Sequence, residues 1–267
     1  MTVSTLFAEG RIACALDGAI GTLSIARLAR KNALDADMWR AFPSAIAWFA
    51  GHEQARIIVL CGGGDTDFSA GADITEFDTV RKDAASARAY EAENSAAFRA
   101  VRQSPLPVIA KIRGICFGGA FGLAAACDIR IADATARFAV PAARLGLAYP
   151  ADAVIDLVRA LGPQRTRAML LSAQAISAET ALASGFLLEL VAPEHLDARA
   201  AELAGEIAAA APLSVRASRA AIAAGLSGDP SDLAAAAALG DATFESADYA
   251  EGRAAFREKR KPVFTGR

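Results

Sequence analysis

The stretch Lys111–Asp128, KIRGICFGGAFGLAAACD, constrains this chain more than any other. It opens on the tail of an apolar run, Pro107–Ile112, that reads as a buried strand. Gly114 punctuates the run, and Gly118-Gly119 starts an alanine-rich helix towards Cys127. A strand feeding a glycine pair at a helix N-terminus leaves backbone N–H groups unpaired at the positive end of the helix dipole. Such a device holds negative charge: a phosphate, a carboxylate or an oxyanion. What else converges there decides between them.

The flanking sequence alternates strand and helix patterns. Ile12–Leu16 and Gly21–Leu28 flank Asp17-Gly18, a hairpin signal. Asp35 or Asp37 caps a helix reaching about Phe49, and Arg56–Leu60 is a short buried strand. Phe68–Ile74 is a second glycine turn entering a short helical piece, and a charged helix covers about Ala84–Arg102. After the central stretch, Ile129–Ala132 and Arg137–Val140 read as strands and 141–152 as an irregular loop. Ala153–Ala160 and Pro163–Leu171 read as helices, and Phe186–Val191 as the last strand. Beyond Pro193 every pattern is helical, broken at Pro212, at Gly228-Asp-Pro230 and at Gly240. This order predicts an α/β core over residues 1–192 and a helical C-terminal region over 193–267.

A net charge of −2 speaks against a nucleic-acid partner, and no tract resembles a membrane span. The first residues lack the basic start and apolar centre of a signal peptide. Cys14, Cys61, Cys116 and Cys127 are scattered without a CxxC pair, which fits buried thiols in a reducing cytoplasm. With only His52 and His195 present, a histidine-based metal site or triad is not expected. Acidic residues within 73–93, among them Asp73, Glu76, Asp78, Glu91 and Glu93, read as a solvated face from which one carboxylate could still reach a pocket.

Phe68–Ile74 and Gly114–Gly122 both place small residues at a turn into a helix after a buried strand. Two such turns can aim two N–H groups at one atom and hold a polarised carbonyl. Tight strand–helix packing is the simpler account of the glycines taken alone. Three motifs add to this: FSAGADI, the GGAFGLAAACDI stretch and the C-terminal EGRAAFREKRKPVF. Together and in this order they resemble the crotonase superfamily of enoyl-CoA hydratases and isomerases.

The resemblance implies a spiral of ββα units, C-terminal helices that assemble trimers or dimers of trimers, and an acyl-CoA thioester as substrate. Coenzyme A is then part of the substrate, and no separate cofactor or metal is expected. The family's two oxyanion donors fall on the backbone of Ala72 and Gly119. Its CoA contacts fall on the backbone around Ala29–Lys31 and Ala70–Asp73. In the C-terminal helix they fall on Phe256 and Lys259, often supplied by a neighbouring subunit, though a solvated surface lysine is the alternative for Lys259.

The chain departs from the hydratases at both catalytic glutamates of that family. The first position is Gly122, in Gly118–Gly122, and the second is Ala142, in Phe138–Ala142. Neither moves a proton, and losing such a group lowers rate by about 10²–10⁴. Tyr149, in Arg144–Tyr149, resembles the tyrosine of an LGVPY loop in methylmalonyl-CoA decarboxylases, which also share GGAF but keep the first glutamate. Loss of CO₂ from a malonyl-type thioester makes an enolate without a base. A lyase-type, decarboxylase-like reaction with Tyr149 as proton donor is therefore slightly preferred. A packing aromatic is the alternative for Tyr149. Asp152 is a second candidate, because related dehalogenases and isomerases use an aspartate in this loop; a helix N-cap explains it equally. A hydratase or isomerase using another acid–base group, and a silent acyl-CoA-binding subunit, complete the expectations.

Overall fold

The computed structural model describes residues 2–267. The chain starts with strand β1 (Val3–Phe7), paired antiparallel with β2 (Ile12–Asp17), which turns at Gly18 into β3 (Ile20–Ile25). The expected hairpin is thus present, and its alternation buries Ile12, Cys14 and Leu16 of β2 beside Leu23 and Ile25 of β3. Strand β1 was not anticipated. It is an edge strand with little buried side chain, so pairing alone defines it.

Helix α1 (Ala36–Ala50) is capped by Asp35, which accepts from the Met38 N–H. After β4 (Ile57–Gly62) come α2 (Phe77–Val80) and α3 (Ala84–Arg102), the latter opened by an Asp83–Ser86 capping box. Then follow β5 (Val108–Ile112), β6 (Ile115–Phe117), α4 (Gly119–Ala126), β7 (Ile129–Asp133) and β8 (Arg137–Ala139). The next elements are α5 (Ala151–Leu161), α6 (Pro163–Ser172), β9 (Ile176–Ser177), α7 (Ala178–Ala183) and β10 (Glu189–Val191). Helices α8 (Leu196–Ala209), α9 (Pro212–Ser227), α10 (Pro230–Ala242) and α11 (Ala247–Glu258) complete the chain.

Seven strands form one sheet in the order β1-β2-β3-β4-β5-β7-β10, parallel from β3 onward. A second sheet runs β6-β8-β9. The units β5-β6-α4 and β7-β8-α5 each place one strand in each sheet, which is the spiral of ββα units expected from the sequence. The step between sheets occurs at Gly114, at φ +56°, where a Cβ would overlap the Thr66 carbonyl oxygen.

The large sheet is covered on both faces. Trp39, Phe42, Phe98, Phe121 and Phe138 fill the core on one side. Ile57, Val59, Ile109 and Ile131 meet Leu196, Leu203 and Ala204 of α8 on the other. Burial on two faces explains why β4 reads as one continuous apolar run. Among the described residues no helix is long and apolar enough to cross a membrane.

Two expectations change, and two strands are additional. Gly240 does not interrupt α10, because a glycine inside a helix is tolerated at about 1 kcal/mol. Asp152 is not an N-cap: that position is Pro150, and Asp152 lies within the first turn of α5. Strands β6 and β9, at three and two residues, are too short to leave a period in the sequence.

Helix α5 is tied to α3 through Asp156, which is buried and accepts from Arg102 Nη1 at 2.9 Å. Burial pushes its carboxyl up from 3.8 to about 6, against the opposing pull of Arg102 and Arg159. A carboxyl protonated more readily when folded supports the fold below about pH 4 and loses that support as pH rises through about 6. The melting temperature of Asp156→Asn, minus that of the wild type, should therefore rise between pH 4 and pH 7. A calorimetric pH series checks this, and a pH-independent gap would contradict it.

Candidate active site

The two glycine turns meet. Ser69 pairs with β6 through its N–H to the Ile115 carbonyl (2.9 Å) and its carbonyl to the Phe117 N–H (3.1 Å). This places Gly71 against the Phe117–Gly119 backbone. At φ +88° Gly71 suits no L side chain, and a Cβ there would lie 3.2 Å from the Gly119 nitrogen. Asn32, buried, locks the approach: its Nδ2 donates to the carbonyls of Gly63 and Asp67 at 3.0 and 2.8 Å.

Around this junction most backbone donors are spent. The Leu34 N–H binds the Gly71 carbonyl, the Asp73 N–H binds the Leu34 carbonyl, and the Gly118 N–H binds the Ala139 carbonyl, each at 2.8 Å. The N–H groups of Ala72 and Gly119 have no acceptor among the described residues. Gly119 is the first residue of α4, where an unpaired N–H is intrinsic to the helix. A side chain at 119 is excluded by Trp39, whose ring would lie 2.7 Å from its Cβ.

Ala72 and Gly119 line one cavity of about 90 Å³. Val140, Leu145, Leu147 and Phe98 supply apolar wall, and Arg81, Glu91, Asn94 and Tyr149 supply the polar groups. Glu91 is the one carboxylate among the described residues lining it, and Arg81 Nη2 stands 2.6 Å from its Oε1.

Tyr149 enters hydroxyl first and donates to the Gly118 carbonyl at 2.9 Å. That carbonyl and the Gly119 N–H are the two ends of one peptide unit. A hydrogen bond on the oxygen polarises the unit and strengthens the N–H as a donor. Burial pushes the Tyr149 phenol well up, with the nearby Glu91 adding to it, so the hydroxyl stays neutral. A Cβ at position 122 would lie 2.6 Å from this hydroxyl and 2.9 Å from Phe98 Cζ. Tyr149 and Phe98 thus fill the space that a side chain at 122 would need.

The remaining expected site residues fall in different places. Ala70 lines the cavity and its N–H binds the Lys31 carbonyl at 2.9 Å, which puts exposed Lys31 and Ala29 beside that wall. The Asp73 side chain is committed to Arg27 (2.6 Å) and to Thr75, whose hydrogen bonds hold its carboxyl below the usual range despite burial. Asp152 does not line the cavity; it accepts from Ser95 Oγ at 3.1 Å and lies 3.6 Å from Arg102 Nη2. Phe256 and Lys259 lie on and just after α11, away from the cavity, and Phe256 borders a separate groove with Tyr249 and Phe264.

Arg81 was not singled out from the sequence, and Glu91 was grouped with a solvated face. The other acids of that group are placed elsewhere: Glu76 accepts from the Ala36 N–H, and Glu93 pairs with Arg40. The signal for Glu91 was its spacing. Glu91, Asn94 and Phe98 stand at i, i+3 and i+7, a single stripe of α3.

The sequence profile of the enoyl-CoA hydratase/isomerase family matches residues 16–267. The crotonyl-CoA hydratase of Syntrophomonas wolfei is 32% identical over 246 residues, covering 92% of this chain and 94% of that protein. The carnitinyl-CoA dehydratase of Salmonella typhi is also 32% identical, covering 89% and 92%. An enoyl-CoA hydratase/carnithine racemase from Magnetospirillum magneticum superposes with a TM-score of 0.93 at 36% identity, over 99% of this chain and 97% of that one. A profile that spans nearly the whole chain, with a relative at 32% identity and a solved structure at a TM-score of 0.93, establishes that this chain belongs to the enoyl-CoA hydratase/isomerase family.

Proposed function

We propose that the chain is an enzyme that transfers protons on acyl-CoA thioesters, in the manner of a hydratase or isomerase, with Glu91 as the acid–base group. The observation that carries this reading is the pairing of two unspent N–H groups with a single carboxylate in one cavity. The N–H groups of Ala72 and Gly119 take the thioester oxygen and hold the enolate that forms. Glu91 removes a proton from the acyl chain, or from a water adding to its β-carbon, and a proton is then returned to carbon. Arg81 holds the Glu91 carboxylate in place through the 2.6 Å ion pair. Tyr149 acts behind the Gly118–Gly119 peptide and polarises the donor. The crotonyl-CoA and carnitinyl-CoA relatives are named for adding or removing water, which fits this chemistry.

The nucleotide part of CoA runs along the backbone of Ala29–Lys31 and Ala70–Asp73, with Lys31 available to a phosphate. Phe256 and Lys259 complete the CoA site from a neighbouring subunit of a trimer or a dimer of trimers. The support is apolar surface left open on the C-terminal helices at Ile222, Leu226, Leu233 and Phe256. Residues 1–192 then carry the acyl site and 193–267 the assembly surface. The four free, buried cysteines suit a cytoplasmic enzyme.

A second reading, decarboxylation of a malonyl-type thioester, is favoured by the lack of an acid at Gly122 and Ala142. In that reading Tyr149 would have to leave the Gly118 carbonyl to protonate the enolate.

A mass-spectrometric time course with crotonyl-, dienoyl-, malonyl- and methylmalonyl-CoA tests the proposal. Gain of water or a shifted double bond is expected, with Tyr149→Phe slower by about 2- to 10-fold. Loss of CO₂ that collapses in Tyr149→Phe would establish the second reading instead. Binding of the thioesters without any product would make the chain a silent acyl-CoA-binding subunit.

A further inference from the structure

Arg81 is the group in the cavity whose chemistry is not used up. Its guanidinium carbon stands 4.5 Å from the Phe77 ring centre and 4.6 Å from that of Tyr90. Two rings pin the guanidinium in place and leave its N–H donors to be satisfied by acceptors around it. Nη2 meets Glu91 at 2.6 Å. Nε is buried with no hydrogen-bond partner, and Nη1 has no acceptor among the described residues.

A guanidinium has five N–H donors, and leaving them unspent inside a protein is strongly unfavourable. The pair with Glu91 cancels the charge but uses one side of the group only. A wall for a plain alkyl chain needs no cation, because Val140, Leu145, Leu147 and Phe98 already supply apolar surface. Asn94, on the same wall, spends its Nδ2 on the Tyr90 carbonyl at 2.8 Å. Its Oδ1 has no protein donor and remains free to take a hydrogen bond. The wall beside Glu91 therefore offers one cationic donor and one amide acceptor to whatever lies in the cavity.

We infer that the acyl chain taken by this site carries an oxygen acceptor beyond its β-carbon, and that Arg81 binds that oxygen. The oxygen belongs to a hydroxyl, an oxo group or a carboxylate. The inference rests on the acyl-thioester reading above and names the substrate class for it. With the thioester oxygen at Ala72 and Gly119 and the far oxygen at Arg81, the carbons between them are held beside Glu91. Fixing the chain at both ends sets which carbon loses its proton. A saturated alkyl chain leaves the Arg81 donors unpaired.

Titration calorimetry on matched thioesters separates the possibilities without needing turnover. The pairs are 4-hydroxybutyryl- against butyryl-CoA and glutaryl- against pentanoyl-CoA, with wild type, Arg81→Met and Arg81→Lys. The wild type is expected to bind at least one oxygenated partner about tenfold or more tighter than its alkyl match. Which pair shows the preference tells a hydroxyl from a carboxylate. In Arg81→Met the ratio within each pair should fall to near one, any common change from freeing Glu91 cancelling in that ratio, and Arg81→Lys should recover part of the preference. A merely structural arginine would weaken all four ligands together. Equal binding of both pairs by the wild type, or a preference that survives in Arg81→Met, overturns the inference. Should Arg81→Met fail to fold, the wild-type ratios and Arg81→Lys still decide it. If folded wild type binds no thioester at all, the acyl-thioester reading fails, and this inference falls with it.

Discussion

Replacing Gly71 by alanine should lower turnover at least a hundredfold and lower the melting temperature as well. Gly71 sits at φ +88°, and the added Cβ would overlap the Phe117 carbonyl oxygen and crowd the Gly119 nitrogen at 3.2 Å. Left-handed backbone costs alanine about 1–2 kcal/mol before any contact is counted. The overlap is with backbone on both sides, so no side-chain rotation relieves it. The turn at Ser69–Ala72 must move away from β6 and the start of α4, and the Ala72 N–H moves with it. Losing one such donor in an oxyanion site removes about 3–4 kcal/mol of transition-state stabilisation, or 10²–10³ in rate. Steady-state kinetics should show the loss in kcat rather than KM. Gly118→Ala separates strain from contact, because Gly118 is also at positive φ but an added Cβ there meets nothing within 4 Å. If Gly71→Ala keeps wild-type kcat, the two turns do not form the anion site.

Glu91→Gln should lower kcat by about 10²–10⁴ with the fold intact. Glutamine keeps the length and an oxygen for Arg81, and Glu91 is only partly buried, so little packing is lost. What disappears is the ability to take and return a proton. Glu91→Asp should retain part of the rate with the carboxylate drawn back. Glu93→Gln serves as the control, since Glu93 pairs with Arg40 elsewhere on α3 and does not line the cavity. Hydration or isomerisation that proceeds normally in Glu91→Gln would remove Glu91 from the mechanism. Decarboxylation that proceeds normally in the same variant would instead favour the reading in which no base is needed.

These two variants probe opposite halves of the site, and the halves differ in how visible they were beforehand. The donor half follows from glycines at turns, a local property. The positions of Ala72 and Gly119 were expected on resemblance, and the structure places both on one cavity with their N–H groups unspent. The proton-transfer half was expected at Tyr149 or Asp152. Asp152 is engaged with Ser95 and Arg102 off the cavity, and the Tyr149 hydroxyl is engaged with the Gly118 carbonyl. The carboxylate that lines the cavity beside Tyr149, Glu91, sat among the acids of 73–93, which local pattern did not tell apart.

The sequence by itself determined what depends on near neighbours. The Asp17-Gly18 hairpin, the Asp35 cap of α1, the span of α3 and the unpaired N–H at Gly119 all rest on interactions within a few residues. Tertiary structure alone decided which distant groups meet. Gly71 reaches Gly119 because Ser69 pairs with β6, a strand of three residues that exists only through its ladder with β8. Tyr149 lies over Gly122 because α5 begins where β8 and its following turn deliver it, and Arg81 meets Glu91 because the short α2 ends beside the long α3. Those distances depend on sheet register and helix docking, which bury residues from both ends of a long chain segment together. No local period records them, since the free energy that selects them is released only when the whole core closes.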